Sequence, residues 1–411
     1  MRLLIFANFG LINVLNIANI VYSASNKTAL AHVMLTRFFI FIALISVSVC
    51  AAGLACQPRG LTTPKAEAQT SPTPLPNPTD AITIAAVGDI MMGSTSINDS
   101  FLPPNDGRDM LRQVTPILSA ADLTLGNLEG PLLEGGKSEK CPEVKPDPTK
   151  PPQPPRCFAF RVPTRYGQYL KDAGFDVFNL ANNHASDFGE MGRASTRKVL
   201  DNLGIKYAGG DKQRFSTAYM DVKGTSIAVI GFDHNPVSPN VNDLDEARRL
   251  VTEAKKKAKI VIVTFHGGAE GEGAQHVPNQ TEIFVGEKRG NLPLFAHTVI
   301  DAGADLVLGH GPHVLRGMEM YKNHLIAYSM GNFATYGMFN LKGAQGTTAI
   351  FQIQLTTDGE FADGKIIPVR QEGRGGPVLD NTGSAIRKLR ELSMDFGANA
   401  PKIGDDGTIE R

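Results

Sequence analysis

With 411 residues, 42% of them apolar and 20% charged, the chain can bury a substantial core, as one α/β domain or as two. Lysine plus arginine balance aspartate plus glutamate at 41 each. No global field therefore draws a polyanion, and nucleic acid drops out as a partner.

The amino terminus reads as a targeting segment and not as fold. Arg37 precedes an apolar run from Phe38 to Ala55 that exits through small residues to Cys56, the order of a secretory signal. Met34, just ahead of it, is a second candidate start. Residues 3–22 are also apolar, but Asn8, Asn13, Asn16 and Asn19 make them a poor spanning helix. Cys56 leaves two outcomes open, a lipid anchor and cleavage to a secreted form. Residues 58–80 are rich in proline and threonine with almost no large apolar side chain, a linker composition. The expected organisation is a signal or membrane segment at 1–57, a linker at 58–80, a folded domain at 81–372 and a carboxy-terminal tail at 373–411.

From Ala81 onward, short β-branched runs alternate with amphipathic helical patterns. A strand at 82–87 ends at Gly88-Asp89, and one at 122–125 ends at Gly126-Asn127-Leu128-Glu129. Cys141 and Cys157 bracket a proline-laden loop without periodicity, and a disulfide is the simplest account of them in an oxidising compartment. A helix at 166–173 stops at Gly174, and a strand at 176–180 runs into Asn182-Asn183-His184. The helix at 192–203 has Gly204 as its C-cap. A strand at 226–232 ends at Asp233-His234. The helix at 243–259 then carries acids first and lysines last, as its dipole favours. It feeds a continuous apolar strand, 260–265, ending at His266. A helix at 292–302 leads to a strand at 306–308, then to His310 and His313 on a Gly/Pro turn. A second apolar run, 325–328, ends at Ser329, Gly331 and Asn332, and a modest helix spans 383–394. Alternating helices and buried strands predict a layered α/β domain.

Five of these strands end in the same kind of residue: Asp89, then Asn127 and Glu129, then Asn183 and His184, then His266, then His310 and His313. Singly, each has a plain reading as a turn, cap or core residue. Together they offer carboxylate, amide oxygen and imidazole past the carboxyl ends of strands, where open α/β sheets build sites. Such a set suits Mn, Fe, Zn or Mg, and two such ions would polarise a phosphoryl or acyl oxygen. Arg161 and Arg193 are candidates to neutralise an anionic substrate, with surface salt bridges as the alternative. Glu270, close to His266, is a candidate contact for cationic groups or a proton shuttle. Ser329 and Asn332 are expected to support the ligand loops.

The segments AAVGDIMMG, GNLEGPL, FNLANNHASDFGEMG, VTFHGGAEGEG and DAGADLVLGHGPHVLRGMEMYKNHLIAYSMGNF, in this order, resemble the CapA family of bacterial capsule-synthesis proteins over roughly residues 82–370. The resemblance implies a fold similar to the calcineurin-like metallophosphoesterases, an α/β sandwich of two mixed β-sheets flanked by helices in α/β/β/α layers. It implies Asp89, Asn183, His266, His310 and His313 as metal ligands and His184 as general acid. The bridging position falls at Asn127 or at Glu129, and Glu129 is preferred because a bridge needs negative charge. The chain also departs from that pattern. Met91 stands where a histidine is expected, and a thioether is a poor ligand for hard ions. Ala185 replaces the carboxylate after the Asn-His pair, leaving Asp187 as an open substitute, and an extra residue separates His310 from His313.

What the resemblance implies about function is a CapA-like protein at the cell surface, exported and tethered to the membrane by its N-terminal segment or a lipid. It would be a metal-dependent hydrolase or transferase, with one or two divalent ions, acting on an anionic polymer such as poly-γ-glutamate. Membrane proteins of capsule synthesis or export are the implied partners. Two other readings stay open: an extracellular metallophosphoesterase or nucleotidase, and a non-catalytic polymer-binding or export accessory protein, which Met91 supports.

Overall fold

The first strand, β1 (Ile82–Met91), sets the pattern of the molecule. Ile82, Ile84 and Ala86 enter one apolar cluster, while Ala85 and Val87 enter another, because successive side chains of a strand point to opposite faces. A strand covered on both faces needs an unbroken apolar run, as at 84–87, 227–230 and 260–263. The computed structural model describes residues 81–96, 101–141, 157–337 and 339–411. The expected signal segment and linker lie outside them. Among the described residues no helix is long and apolar enough to cross a membrane.

In the first sheet, β1, β2 (Leu123–Leu128), β3 (Val177–Asn179) and β4 (Lys206–Ala208) run parallel. The chain then builds a second sheet from β5 (Thr217–Val222), β6 (Thr225–Phe232) and β7 (Ile260–His266). After a small hairpin, β8 (Glu282–Phe284) and β9 (Glu287–Gly290), it adds β10 (Leu306–His310), β11 (Met318–Tyr321) and β12 (His324–Ala327). The order in that sheet is β11-β12-β10-β7-β6-β5. The chain returns to the first sheet with β13 (Asn332–Thr335), parallel beside β1, and β14 (Thr347–Leu355), antiparallel to it. β15 (Phe361–Glu372), β16 (Gly376–Leu379), β17 (Lys402–Ile403) and β18 (Thr408–Glu410) extend that edge.

Helices α1 (Tyr166–Asp172) and α2 (Gly189–Leu203) cover the outer face of the first sheet, with Tyr166, Leu170 and Leu200 against Phe175 and Phe178. Helices α3 (Leu244–Lys255) and α4 (Leu292–Asp301) cover the second through Val251, Phe295 and Val299. Between the sheets lies the third cluster, where Ile84 and Leu125 meet Ile227, Ile262 and Leu308. These layers are the expected α/β/β/α sandwich. Helix boundaries follow their chemistry: α2 ends on Gly204 at φ 69°, and the Asp243 side chain accepts the Glu246 N–H at the start of α3.

Residues 373–411, expected as a tail, are instead built into the first sheet and its core. α5 (Ser384–Ser393) contributes Ile386 and Leu389, and the strands after it contribute Ile403 and Ile409, to the cluster between the sheets. These apolar residues are few and widely spaced in a Gly- and Asp-rich stretch, so composition conceals what long-range pairing recruits.

Cys141 and Cys157 are disulfide-bonded, closing a loop of sequence separation 16. Loop-closure entropy gives such a bridge about 3 kcal/mol. Replacing both cysteines by serine is expected to lower unfolding free energy by about that amount, read from urea titration.

Candidate metal centre

Parallel strands present their carboxy-terminal residues at one edge, and here the edges of the two sheets face each other. In register, Asp89 pairs with Asn127 on β2 and with Asn332 on β13, and His266 on β7 pairs with His310 on β10. The backbones approach closely. Asp89 N donates to Gly331 O at 2.9 Å, and a Cβ on Gly88 would lie 1.9 Å from that oxygen, so only glycine fits.

Glu129, just past β2, stands at the middle of the cluster. Its Oε1 is 3.4 Å from His266 Nε2, 3.7 Å from His313 Nε2 and 4.0 Å from His184 Nε2. Asp89 Oδ2 lies 3.0 Å from His313 Nδ1, and Asp89 Oδ1 lies 3.4 Å from His310 Nδ1. Asp89, Glu129, His266, His310 and His313 are all buried. Single ligand atoms of Asp89, Glu129 and His266 fall within 4.8 Å of one another. Both oxygens of Glu129, both ring nitrogens of His266 and of His310, and Oδ1 of Asn183 lack any hydrogen-bond partner among the described residues. Leaving buried polar groups unpaired costs about 1–3 kcal/mol each, and these groups are the ligand types divalent ions take. The residues present fit a divalent cation.

The local electrostatics agree with that fit. Burial pushes the Glu129 carboxyl up, partly opposed by the charge of His313. Burial acts the same way on Asp89, but the close imidazoles of His310 and His313 outweigh it and hold the carboxylate well below its usual range. For His313 the sign reverses: burial would lower it, while Glu129 and Asp89 raise it. Burial drives His266 well below its ordinary value. His313 adopts φ 58°, a left-handed conformation that costs a non-glycine residue roughly 1–2 kcal/mol. Its Nδ1 also lies 3.0 Å from Asn332 Oδ1, the supporting contact expected of that residue.

Asn127 and Glu129, the two alternatives for the bridging position, have separate places. Asn127 Nδ2 donates to Asp89 Oδ1 at 2.8 Å, and its Oδ1 accepts from Asn179 and Asn182. That amide ladder orients Asp89, and of the two alternatives it is Glu129 that faces the imidazoles. His184 Nδ1 is 2.7 Å from Asp187 Oδ2, so the carboxylate three residues on occupies the role that Ala185 cannot. Asp187 also accepts the Phe160 N–H at 2.7 Å, and Lys140 Nζ lies 3.2 Å from its Oδ1. Burial lowers the His184 pKa, with Asp187 opposing.

Arg161 and Arg193 are engaged by neighbouring parts of the fold. Arg161 donates to Gly136 O at 2.7 Å and to Thr95 Oγ1 at 3.1 Å, and its guanidinium lies 5.0 Å over the Phe188 ring. Arg193 donates to Glu190 at 3.0 Å and to Ser186 at 2.6 Å. Arg193 thus makes the kind of salt bridge that is the alternative reading, while Arg161 is bonded to neutral oxygens. Glu270 does reach the rim, with Oε2 3.9 Å from His313 Nε2 and Oε1 3.0 Å from Arg289. A cleft of about 900 Å³ opens over Asn183, His184, Glu270 and His313, walled by Phe160 and Phe339.

Two further groups, unmarked in the sequence, shape this edge. Arg316 is fully buried and makes two 2.8 Å bonds to Glu282, besides donating to the Ala269 and Ala274 carbonyls. It ties the segment after His266 to the turn carrying His313. Arg316→Met leaves the Glu282 charge buried alone, and a loss of about 3–5 kcal/mol in urea-unfolding free energy is expected. Adding Glu282→Leu is expected to restore most of it. Asp233, past the end of β6, is also buried, and burial raises its pKa to about 7 against the Asn235 N–H, the Ser238 hydroxyl and Arg289. A carboxyl raised in the fold stabilises fully below its unfolded value and loses that contribution as pH rises toward 7. Asp233→Asn is therefore expected to flatten the decline in stability between about pH 4 and 7, by on the order of 4 kcal/mol, in denaturant titrations across that window.

A family model described as bacterial capsule synthesis protein PGA_cap matches residues 83–336. The chain is 29% identical over 355 residues to the capsule biosynthesis protein CapA of Bacillus anthracis, covering 80% of this chain and 77% of that protein. It is 31% identical over 333 residues to the PGA biosynthesis protein CapA of Bacillus subtilis (strain 168), covering 77% and 79%. Among solved structures it is similar to a 5'-nucleotidase precursor from Thermus thermophilus, at 13% identity and a TM-score of 0.36, over 73% of this chain and 54% of that one. That structural likeness is too remote to bear on function. By the family match and the relative in B. subtilis, the chain belongs to the bacterial capsule synthesis protein PGA_cap family.

Proposed function

We propose that the protein is an exported, metal-dependent hydrolase or transferase of the cell envelope that acts on an anionic capsule polymer such as poly-γ-glutamate. The observation that carries this reading is the buried set of Asp89, Glu129, His266, His310 and His313 with half-buried Asn183 beside it, in which both Glu129 oxygens, both ring nitrogens of His266 and His310, and Asn183 Oδ1 lack partners among the described residues. When bound there, a divalent ion supplies Lewis acidity toward a carbonyl or phosphoryl oxygen. Met91 offers no imidazole at the first position, yet both His310 and His313 approach Asp89, so the 310–313 turn supplies nitrogen donors on that side. His184 is the proton carrier of the reaction. Asp187 orients its Nδ1, leaving Nε2 on the side of Glu129 and the cleft to exchange a proton with the reacting group. Phe160, 4.2 Å from the His184 ring, helps exclude water from that proton.

Export is supported by the Cys141–Cys157 disulfide, a bond that persists in oxidising compartments. The N-terminal segment or a lipid on Cys56 would tether the domain, and membrane proteins of capsule synthesis or export are its proposed partners.

The test uses the purified protein loaded with manganese and incubated with poly-γ-glutamate, with chain length followed by size-exclusion chromatography. Shortening or a change in linkage that disappears in His184→Ala is expected. Phosphate release from a chromogenic ester with no change in the polymer would replace this reading by a phosphoesterase. Failure to retain any metal under loading would eliminate both.

A further inference from the structure

The cleft over the metal centre continues beyond it. A second cleft, of about 960 Å³, opens at the start of α3 and is lined by Asn240, Asn242, Arg248 and Lys288. The two share Asn235 and Glu287 in their walls, so they adjoin. Their volumes together exceed what a single small ester needs, since a pocket of several hundred cubic ångströms already encloses a drug-sized ligand.

The junction contains polar groups without partners among the described residues. Neither ring nitrogen of His234 is hydrogen-bonded there, and Asn235 Nδ2 is likewise unpaired. The His234 side chain is only 2% exposed, with Nε2 3.3 Å from Glu287 Oε2. Unmade hydrogen bonds in buried positions are costly, and these groups lie just beneath the wall of the junction. His234 stands at the end of β6, beside the strand that ends in His266, so the second sheet aims a further imidazole at the groove.

The walls of the second cleft indicate what passes. Asn240 is bonded to the His234 carbonyl and to Asn242, whose Nδ2 also donates to the Lys288 carbonyl, so Asn235 Nδ2 and Asn242 Oδ1 are the donor and acceptor left to match an amide unit. Its carboxylates are already engaged: Asp243 caps α3, Asp245 pairs with Arg248 at 2.8 Å, and Glu287 pairs with Arg289 at 2.8 Å. The exposed Asp245–Arg248 pair is weak and readily exchanged. Lys288 makes no ion pair among the described residues, which leaves its charge available to a carboxylate.

We infer that this groove is a continuous track with a second subsite at Asn242, Arg248 and Lys288. It holds a linear, amide-linked chain bearing carboxylates, several units long, while the reacting bond lies over Glu129. The inference rests on the polymer reading above and adds where the rest of the chain runs.

The experiment measures binding of end-labelled γ-linked diglutamate and decaglutamate to the full-length, manganese-loaded protein by fluorescence anisotropy. The decamer is expected to bind at least tenfold more tightly than the dimer. Arg248→Gln combined with Lys288→Gln is expected to bring that ratio to within twofold of one. Equal binding of the two lengths, or equal weakening of both in the variant, overturns the groove but leaves the metal-site reading standing. No binding of either length overturns both.

Discussion

Glu129→Gln is expected to strip the protein of stoichiometric divalent metal and to lower turnover by about a thousandfold or more. The magnitude follows from the several kcal/mol that a metal contributes to charge stabilisation, at about 1.36 kcal/mol per factor of ten. Among the described residues, Glu129 is the only carboxylate within 4.0 Å of His266, His313 and His184 together, so neither Asp89 nor Glu270 takes its central place. The fold is expected to survive, because glutamine keeps the shape and removes a carboxylate whose burial is unfavourable without metal. Elemental analysis after manganese loading checks the first claim, and thermal unfolding in chelator checks the second. A variant that keeps both metal and turnover would remove Glu129 from the centre.

His184→Asn is expected to separate chemistry from metal binding. Metal content should stay unchanged while kcat falls by about 10²–10⁴-fold, the usual range for a positioned acid or base. His184 Nε2 stands 4.0 Å from Glu129, farther than His266 or His313, and its Nδ1 is held by Asp187. That geometry suits a proton carrier beside the centre better than a ligand within it. Metal analysis and steady-state rates on the same preparation decide the matter. Loss of metal in step with loss of rate would make His184 a ligand instead.

The parallel half of the fold was legible because its strands are buried on both faces. Runs such as 260–265 announce themselves without any partner being known. The antiparallel edge from β14 to β18 was not, since its residues alternate or are sparsely apolar and gain meaning only through pairing. Ile403 and Ile409 sit in a Gly- and Asp-rich stretch that reads as a tail until β18 pairs with β15. The partners of the arginines were hidden for a related reason. A guanidinium in the sequence carries its charge openly, but Thr95, Gly136, Ser186 and Glu190 are the partners that claim Arg161 and Arg193.

By itself the sequence determined which residue types stand where strands end: Asp89, Glu129, the Asn183-His184 pair, His266, His310 and His313. Strand-end positions are local, set by where an apolar run stops, and so they can be read locally. Tertiary structure decided which of them meet. Asp89 and His313 are 224 residues apart, and their contact depends on the register of β1 against β13 and on the seam between the two sheets. The register of β1 against β2 turned Asn127 into the support of Asp89, and the meeting of the sheets left Glu129 facing three imidazoles, whereas Asp187 reaches His184 from only three residues away. Hydrogen bonds and charge contacts act over a few ångströms, so their assignment waits on the packing that brings distant segments together.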